Sequence, residues 1–568
     1  MVPSEWKHSN VCAIFKKGDP SDPSNYRPIS LLNTMEKVFE RIIFKHVFNF
    51  LRDSQFFTPS QSGFMPGDST VNQLTYLYNN FCRALDDGLE IRVIFFDISK
   101  AFDKVWHRGL LLKLEQAGIQ GNLLSWFSNY LQNRRQRVVV PGASSSLSEI
   151  KAGVPQGSIL GPLLFLVYIN DIVNDIDSQI NLFADDTSLS IIVDSPERAA
   201  RCLQNDVDKI SNWASTWLVK FNPLKSESLV ISRKRNKPFH PPVLMHETPI
   251  PSVDCHKHLG VFLSNDGTWH AQLDNIKSKA WSRLNTMKRL RYLLDRKSLE
   301  VIYVSFIRPI LEYADVLWDN CTQYEKQELE KIQHEAARIV SGCTRLVSIR
   351  FLYDEIGWES LETRRYKHKL IHFYKIINGF CPDYLSQIAP QSVGDRSARM
   401  LRNSSHLVGI GARTSLYGNS FLPSAINAWN SLSPEARAIE TVEGFKTYIN
   451  SDKPKANCLF CYGKRRLQVL HTRLRTDCSS LNKHLYDKNL VPSPLCNCGQ
   501  VESTFHYLFE CTRYHTQRQA MINSVEAFTP ASLRTLLYGN DNLSIEANYS
   551  VFDAVHHFIM SSKRFDSV

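Results

Sequence analysis

The sequence contains no uninterrupted apolar run approaching the roughly 18 residues that a bilayer-crossing helix needs, which argues against a membrane protein. Its first residues, Met1-Val2-Pro3-Ser4-Glu5-Trp6-Lys7-His8, lack the charged-then-apolar order of a secretory signal. No internal repeat and no low-complexity tract is present, so solenoid and compositionally biased classes drop out. Cysteine is sparse: 13 residues in 568, odd in number and scattered, fit reduced thiols rather than a disulfide framework. An intracellular protein is expected. The remaining composition, 43% hydrophobic and 22% charged, is that of ordinary globular protein. At 65.2 kDa the chain exceeds one core and predicts three or four domains, at about 150 residues each.

The net charge of +11 favours an acidic partner, and its distribution is uneven. Residues 361–480 hold 18 Lys and Arg against 8 Asp and Glu, an excess of 10 that accounts for nearly all the surplus. A second basic run, Lys277, Lys279, Arg283, Lys288, Arg289, Arg291, Arg296 and Lys297, overlaps Ile276, Ala280, Leu284, Met287 and Leu290 at helical spacing. Such a helix is either a solvated face or a surface that tracks a phosphate backbone.

Residues 1–75 are turn-rich around one helical pattern at 35–51. Strands and helices then alternate: strand 91–98, helices near 110–117 and 123–131, strand 137–140, helix 159–176, then an acidic hairpin. Short strands are expected at 228–231 and 258–263, and helices at 299–311 and 325–340. This mixture predicts an α+β domain followed by helical sequence, with Ser/Gly-rich residues 391–419 as a linker.

The chemistry rests on acids in apolar surroundings. Asp185 and Asp186 follow Ile180-Asn181-Leu182-Phe183-Ala184 and precede another strand-like run, so they fall at a hairpin turn, where two like charges repel unless a cation offsets them. An exposed, idle Asp-Asp turn is the plain alternative. Asp97 ends the apolar run Ile91-Arg92-Val93-Ile94-Phe95-Phe96, and three acids at one sheet edge suit Mg²⁺. Two such ions about 3.5–4 Å apart activate a hydroxyl and stabilise a leaving pyrophosphate. Alternatively, Asp97 caps a helix beginning near Ser99. Between the acids lies Gly153-Val154-Pro155-Gln156-Gly157-Ser158, whose glycines allow close backbone approach and whose Gln156 both donates and accepts.

These segments resemble a known family. Phe95-Phe96-Asp97-Ile98-Ser99-Lys100-Ala101-Phe102-Asp103 is similar to reverse transcriptase motif A, Gly153-Val154-Pro155-Gln156-Gly157-Ser158 to motif B, and Phe183-Ala184-Asp185-Asp186 to motif C, in order and spacing. Asn25-Tyr26-Arg27-Pro28-Ile29-Ser30-Leu31-Leu32, Phe221-Asn222-Pro223-Leu224-Lys225-Ser226-Glu227, His258-Leu259-Gly260-Val261 and Arg308-Pro309-Ile310-Leu311-Glu312-Tyr313-Ala314 resemble further blocks of non-LTR (LINE-type, jockey-like) retrotransposon reverse transcriptases. One departure is Gly161 where the family often has Ser.

The resemblance implies a right-hand polymerase: fingers and palm over 1–263, a helical thumb over 264–360, a basic nucleic-acid-binding region over 361–480 and a Cys/His segment over 481–568. It implies an RNA-directed DNA polymerase acting on an RNA template, a DNA primer and dNTPs, in the cytoplasm and nucleus. Asp97, Asp185 and Asp186, with the Ile98 carbonyl, would hold two Mg²⁺, Mn²⁺ being a substitute. Phe102 would exclude a 2′-hydroxyl, and Gln156 and Gly157 would line the sugar. Arg27 would contact the triphosphate, or else brace a fingers loop; Lys225 would protonate pyrophosphate, or else be an ordinary surface lysine. The chain opens inside the fingers, so endonuclease activity is expected from elsewhere. Two competing functions are a catalytically idle RNA-binding relic and an RNA-dependent RNA polymerase, and Phe102 argues against the second.

In the tail, Cys496, Cys498, His506 and Cys511 give C-x-C-x₇-H-x₄-C, four donors within 16 residues that suit tetrahedral Zn²⁺. Reduced cysteines in a helical tail are the alternative. Cys458 and Cys461 form a C-x₂-C with no second pair.

Overall fold

The apolar run at residues 90–96 is, in the computed structural model, a strand Glu90–Phe96 buried at every position. The structure describes residues 1–566 except Lys17 and 397–405; the expected linker at 391–419 therefore lies partly outside the described residues. A strand with both faces covered needs no polar alternation, which is why the run is continuous. Ile94 and Phe96 enter the main core with Leu182 and Leu189. On the opposite face the Phe95 ring stacks on His256, centroids 3.7 Å apart.

Glu90–Phe96 is the middle of a five-stranded sheet ordered Ser252–Val253, Glu227–Ile231, Glu90–Phe96, Asp186–Val193 and Gln179–Phe183. Its pairings with Asp186–Val193 and Glu227–Ile231 are antiparallel, with Phe96 opposite Thr187 and Phe95 opposite Glu227. A second sheet orders Tyr26–Leu31, His8–Phe15, Arg135–Val140 and Ala143–Ser144, the middle two running parallel.

The helix Leu160–Ile169 is apolar all round and buried at every position except Pro162, as expected for a core helix. Its N-terminus is capped from a distance: Glu40 accepts the Ile159 N–H at 2.6 Å and the Tyr130 hydroxyl at 2.6 Å. A carboxylate at a helix N-terminus is also favoured by the macrodipole. Beside it Glu36 is paired with Arg134 at 3.1 Å, both buried.

Several sequence expectations change. The predicted helix 159–176 ends at Ile169 and continues as a 3₁₀ turn, Asn170–Val173. The predicted strand 258–263 is the middle of a hairpin, Cys255–His258 and Val261–Ser264, turning at Leu259 and Gly260 with φ of +44° and +88°. The predicted helix 299–311 is interrupted by a π turn, Tyr303–Ile307, immediately before Arg308–Glu312. Pro309 lacks the N–H that would continue the regular ladder. The helix Thr70–Asp86 was not anticipated, because its buried Asn72, Gln73, Thr75 and Asn79 break the apolar periodicity.

The chain divides into two compact units: Met1–Ala271 with Phe373–Asn430, and Gln272–His372 with Ser431–Val568. Residues 361–480 are thus shared between the units. In the first unit the returning segment grips the helix Thr70–Asp86. The Asp86 carboxylate accepts the Arg413 N–H at 2.9 Å and the Thr414 N–H at 2.6 Å, and the Tyr384 hydroxyl donates to Asp68 at 2.8 Å.

In the second unit, His270–Leu290, whose first two residues lie in the first unit, buries Leu273, Ile276, Ala280, Leu284 and Met287 and leaves Lys279, Arg283, Lys288 and Arg289 exposed. Among the described residues, the cations of 361–480 mostly have internal partners. Arg365 and Lys369 pair with Asp319 at 3.2 and 2.6 Å. Arg465 donates to the Ile339 and Val340 carbonyls at 2.6 and 2.8 Å, and Arg473 to the Gly342 carbonyl at 3.0 Å. Arg475 and Arg296 share the buried Glu355 at 2.7 and 2.6 Å. Much of the regional charge surplus therefore stitches helices together. Among the described residues, no helix is long and apolar enough to cross a membrane.

Candidate active site

The strands Gln179–Phe183 and Asp186–Val193 pair through Phe183 and Asp186, leaving Ala184-Asp185 as a two-residue turn. Ala184 has φ +58°, a left-handed conformation that costs a non-glycine residue about 1 kcal/mol. The central strand ends one residue before Asp97. Continuing its register past Phe96 and Thr187 brings Asp97 opposite Asp186. The three acids therefore meet at one end of the sheet.

Asp97 is fixed by its backbone. Its N–H donates to the Ser226 hydroxyl at 3.2 Å, and its carbonyl accepts the Asn222 N–H at 2.9 Å. The helix-cap alternative fails, because the next helical turn is a 3₁₀ turn, Phe102–Lys104, with Ala101 at its cap position and no side-chain cap bond. The bonds to Ser226 and Asn222 also fix the loop that carries Lys225.

Electrostatics separate this turn from an idle one. Although Asp186 opens onto the cleft, crowding of its carboxyl by protein, then the Asp185 and Asp97 carboxylates, push it up to about 6. Burial raises Asp185; its own backbone hydrogen bond, Arg27 and Lys16 oppose that rise, and Asp97 adds to it. Carboxylates that raise one another in this way would be relieved by a nearby positive charge.

The acids line a cleft of about 1020 Å³ together with Arg27, Ile98, Phe102, Gln156 and Lys225. Eight of the sequence-predicted residues thus face one space. Phe102 is wedged there by stacking on Phe165, centroids 4.5 Å apart, and by an edge contact with Phe64 at 6.3 Å.

Gly157 is not among the lining residues. Its φ is +117°, and a Cβ would lie 2.6 Å from the Ser30 carbonyl oxygen, so glycine is required by the close packing of this turn on the strand Tyr26–Leu31. The Ser30 N–H also donates to the Gln156 carbonyl at 2.7 Å. The Gln156 side chain donates to Asp103 at 2.8 Å, and burial raises the Asp103 carboxyl.

Sequence reasoning missed the supports of this site: Asp103, Glu40, Gln61 and Gly63. The Gln61 carbonyl oxygen accepts the Ala184 N–H at 3.0 Å. A Cβ on Gly63 would lie 2.2 Å from the Ala184 nitrogen. The one available signal was the turn-rich Gln61-Ser62-Gly63-Phe64-Met65-Pro66-Gly67 between two helices.

In the second unit Cys496, Cys498, His506 and Cys511 converge, with all ligand atoms within 4.8 Å of one another. The Cys511 sulfur lies 3.7 Å from that of Cys496 and 3.9 Å from that of Cys498, and Cys498 lies 3.2 Å from His506 Nε2. A tetrahedron with Zn–S bonds of about 2.3 Å has edges of about 3.8 Å, so the donor set fits. Cys458 and Cys461 lie on a separate 3₁₀ turn and are not part of the cluster.

A family model described as "Reverse transcriptase (RNA-dependent DNA polymerase)" matches residues 14–263. The chain is 32% identical over 378 residues to "Probable RNA-directed DNA polymerase from transposon X-element" of Drosophila melanogaster, covering 64% of this chain and 41% of that protein. It is 30% identical over 399 residues to "Probable RNA-directed DNA polymerase from transposon BS" of the same species, covering 66% and 43%. A 23% identical match to the R1 element Pol polyprotein of Bradysia coprophila extends over 91% of this chain and 49% of that protein. The chain spans less than half the length of each of these relatives. With its three acids, its glycine-bearing turn and these relatives, residues 14–263 are a reverse transcriptase domain, similar to those of non-LTR retrotransposons.

Proposed function

We propose that the chain is an RNA-directed DNA polymerase that copies RNA into DNA by two-metal nucleotidyl transfer, using a DNA primer and deoxynucleoside triphosphates. The observation that carries this reading is the convergence of Asp97, Asp185 and Asp186 on one cleft with Arg27, Phe102, Gln156 and Lys225. In the reaction the primer 3′-hydroxyl oxygen bonds to the α-phosphorus, the bond from that phosphorus to pyrophosphate breaks, and the hydroxyl proton passes to solvent water. The three aspartates and the Ile98 carbonyl would hold two Mg²⁺ or Mn²⁺ ions, whose chemistry would be to acidify the hydroxyl and neutralise the leaving group.

The chain's own residues do the rest. Arg27 clamps phosphate oxygens with its planar fork, and Lys225 gives a proton to the departing pyrophosphate. Gln156, held by Asp103, faces the sugar, and Gly157 lets that turn seat against Ser30. Phe102, braced by Phe165, closes the space where a ribose 2′-hydroxyl would project. The Cys/His cluster takes Zn²⁺ as a structural ion, its geometry being that of four soft or borderline donors.

The test is primer extension on an RNA template with Mg²⁺ and dNTPs. The intact chain should extend, Asp185→Ala with Asp186→Ala should not, and Phe102→Val should incorporate ribonucleotides more readily. Equal inactivity of the intact and doubly substituted chains, with RNA binding kept, would identify an RNA-binding relic instead.

A further inference from the structure

The acidic turn is held in place by a segment outside its own hairpin. Gln61 is 5% exposed, and its side-chain carbonyl accepts two backbone N–H groups, Gly63 at 2.8 Å and Ala184 at 3.0 Å. Around it, residues 60–63 run as a short parallel extension of the hairpin. The Leu182 N–H donates to the Ser60 carbonyl at 2.9 Å, and the Ser62 N–H to the Leu182 carbonyl at 2.9 Å. Gln73 Nε2 reaches the same Leu182 carbonyl at 2.9 Å.

Ala184 is where an outside acceptor matters most. It holds a left-handed φ of +58°, which alanine adopts only under constraint, and it immediately precedes Asp185. The N–H bonded to Gln61 belongs to that same residue, so the bond selects the conformation that aims the two carboxylates. Gly63 completes the fit, since a side chain there would collide with the Ala184 nitrogen.

We infer that Gln61 is a positioning residue for Asp185 and Asp186, fixing the turn from which they hold divalent metal; this rests on the reverse transcriptase reading. Glutamine suits the task because it accepts twice without placing a further negative charge beside the acids. An apolar residue of the same shape leaves the buried Ala184 N–H without an acceptor.

The test is a Mn²⁺ titration of the full chain followed by electron paramagnetic resonance, with Asp185→Asn as the blank that identifies the site. Gln61→Met keeps the volume and removes the acceptor; Gln61→Asn, one methylene short, is measured beside it in case the first does not fold. The Mn²⁺ midpoint should rise on the order of tenfold in either variant, as for other residues that orient metal ligands. Primer-extension kcat should fall at least as far, with RNA–DNA duplex affinity unchanged. A variant that lowers only the melting temperature and leaves the Mn²⁺ midpoint within twofold of the parent overturns the inference, as does an unsubstituted chain with no Asp185-dependent Mn²⁺ binding. An unsubstituted chain that binds Mn²⁺ but extends no primer overturns the polymerase reading alone, and the midpoints still decide the role of Gln61.

Discussion

Gln156 donates its carboxamide N–H to the Asp103 carboxylate at 2.8 Å, so the residue proposed to face the incoming sugar is oriented by a half-buried acid within the 3₁₀ turn Phe102–Lys104. A hydrogen bond to a charged group contributes about 1.5–3 kcal/mol. Asp103→Leu should therefore lower kcat/KM for dNTPs by roughly 10- to 100-fold, whereas Asp103→Asn, which keeps an acceptor oxygen, should lose less. Steady-state kinetics on one template–primer would check this, and equal losses in the two variants would refute it.

The Asp186 carboxyl, raised to about 6, makes a second prediction. Its folded pKa lies above the unfolded value, so between about pH 4 and 6 the folded chain binds more protons and stability falls as pH rises. The cost is fully present at neutral pH without metal. Asp186→Asn should melt higher than the parent at pH 7.5, and the two should converge near pH 4. Because Asp186 opens onto solvent, added salt should narrow the difference. Identical melting temperatures at pH 7.5 and low salt would count against the crowding of the three acids.

Metal removal should act on the other unit. The purified chain should carry one Zn²⁺ per molecule by elemental analysis, and Cys496→Ser should abolish it. Chelation should lower the melting temperature of the parent and leave the variant unmoved, because a bound ion would tie the turn around Cys496 and Cys498 to His506 and Cys511. A parent chain free of zinc after purification in zinc-supplemented buffer would rule this out.

Glu355 is a buried carboxylate shared by two buried arginines. It accepts from Arg296 at 2.6 Å and from Arg475 at 2.7 and 2.9 Å, while the Arg475 guanidinium lies 3.6 Å above the Phe460 ring. Replacing it with Leu strands two buried cations, a loss of about 3–5 kcal/mol for a broken buried pair. Urea denaturation should show that loss, and a change below 1 kcal/mol would mean the arginines find other partners.

The parts of this chain legible in the sequence are those whose chemistry is local. An apolar run that stops at an acid gave the central strand and Asp97, and strand-like runs on either side of Asp185-Asp186 gave the hairpin. What escaped depends on partners far along the chain. Gln61 meets Ala184 across 123 positions, and Glu40 caps a helix start 119 positions away, so neither shows its burial to a local reading. The basic surplus of 361–480 is ambiguous for the same reason: a cation bonded to helix-end carbonyls, as Arg465 is, has the same letter as one exposed to solvent. In the hairpin around Leu259-Gly260 the turn signal was present, but the flanking apolar residues outweighed it.

The return of Phe373–Asn430 to the first unit has a consequence for how the protein is made. Domains tend to fold as they leave the ribosome, N-terminal first. Here the sheet with the three acids emerges first, yet Tyr384 and the Arg413-Thr414 backbone that grips Asp86 are translated only after the whole of Gln272–His372. The first unit is therefore completed only after residues 272–372 have been made, and a ribosome that stalls before Tyr384 releases the sheet with its three acids and an unclosed flank.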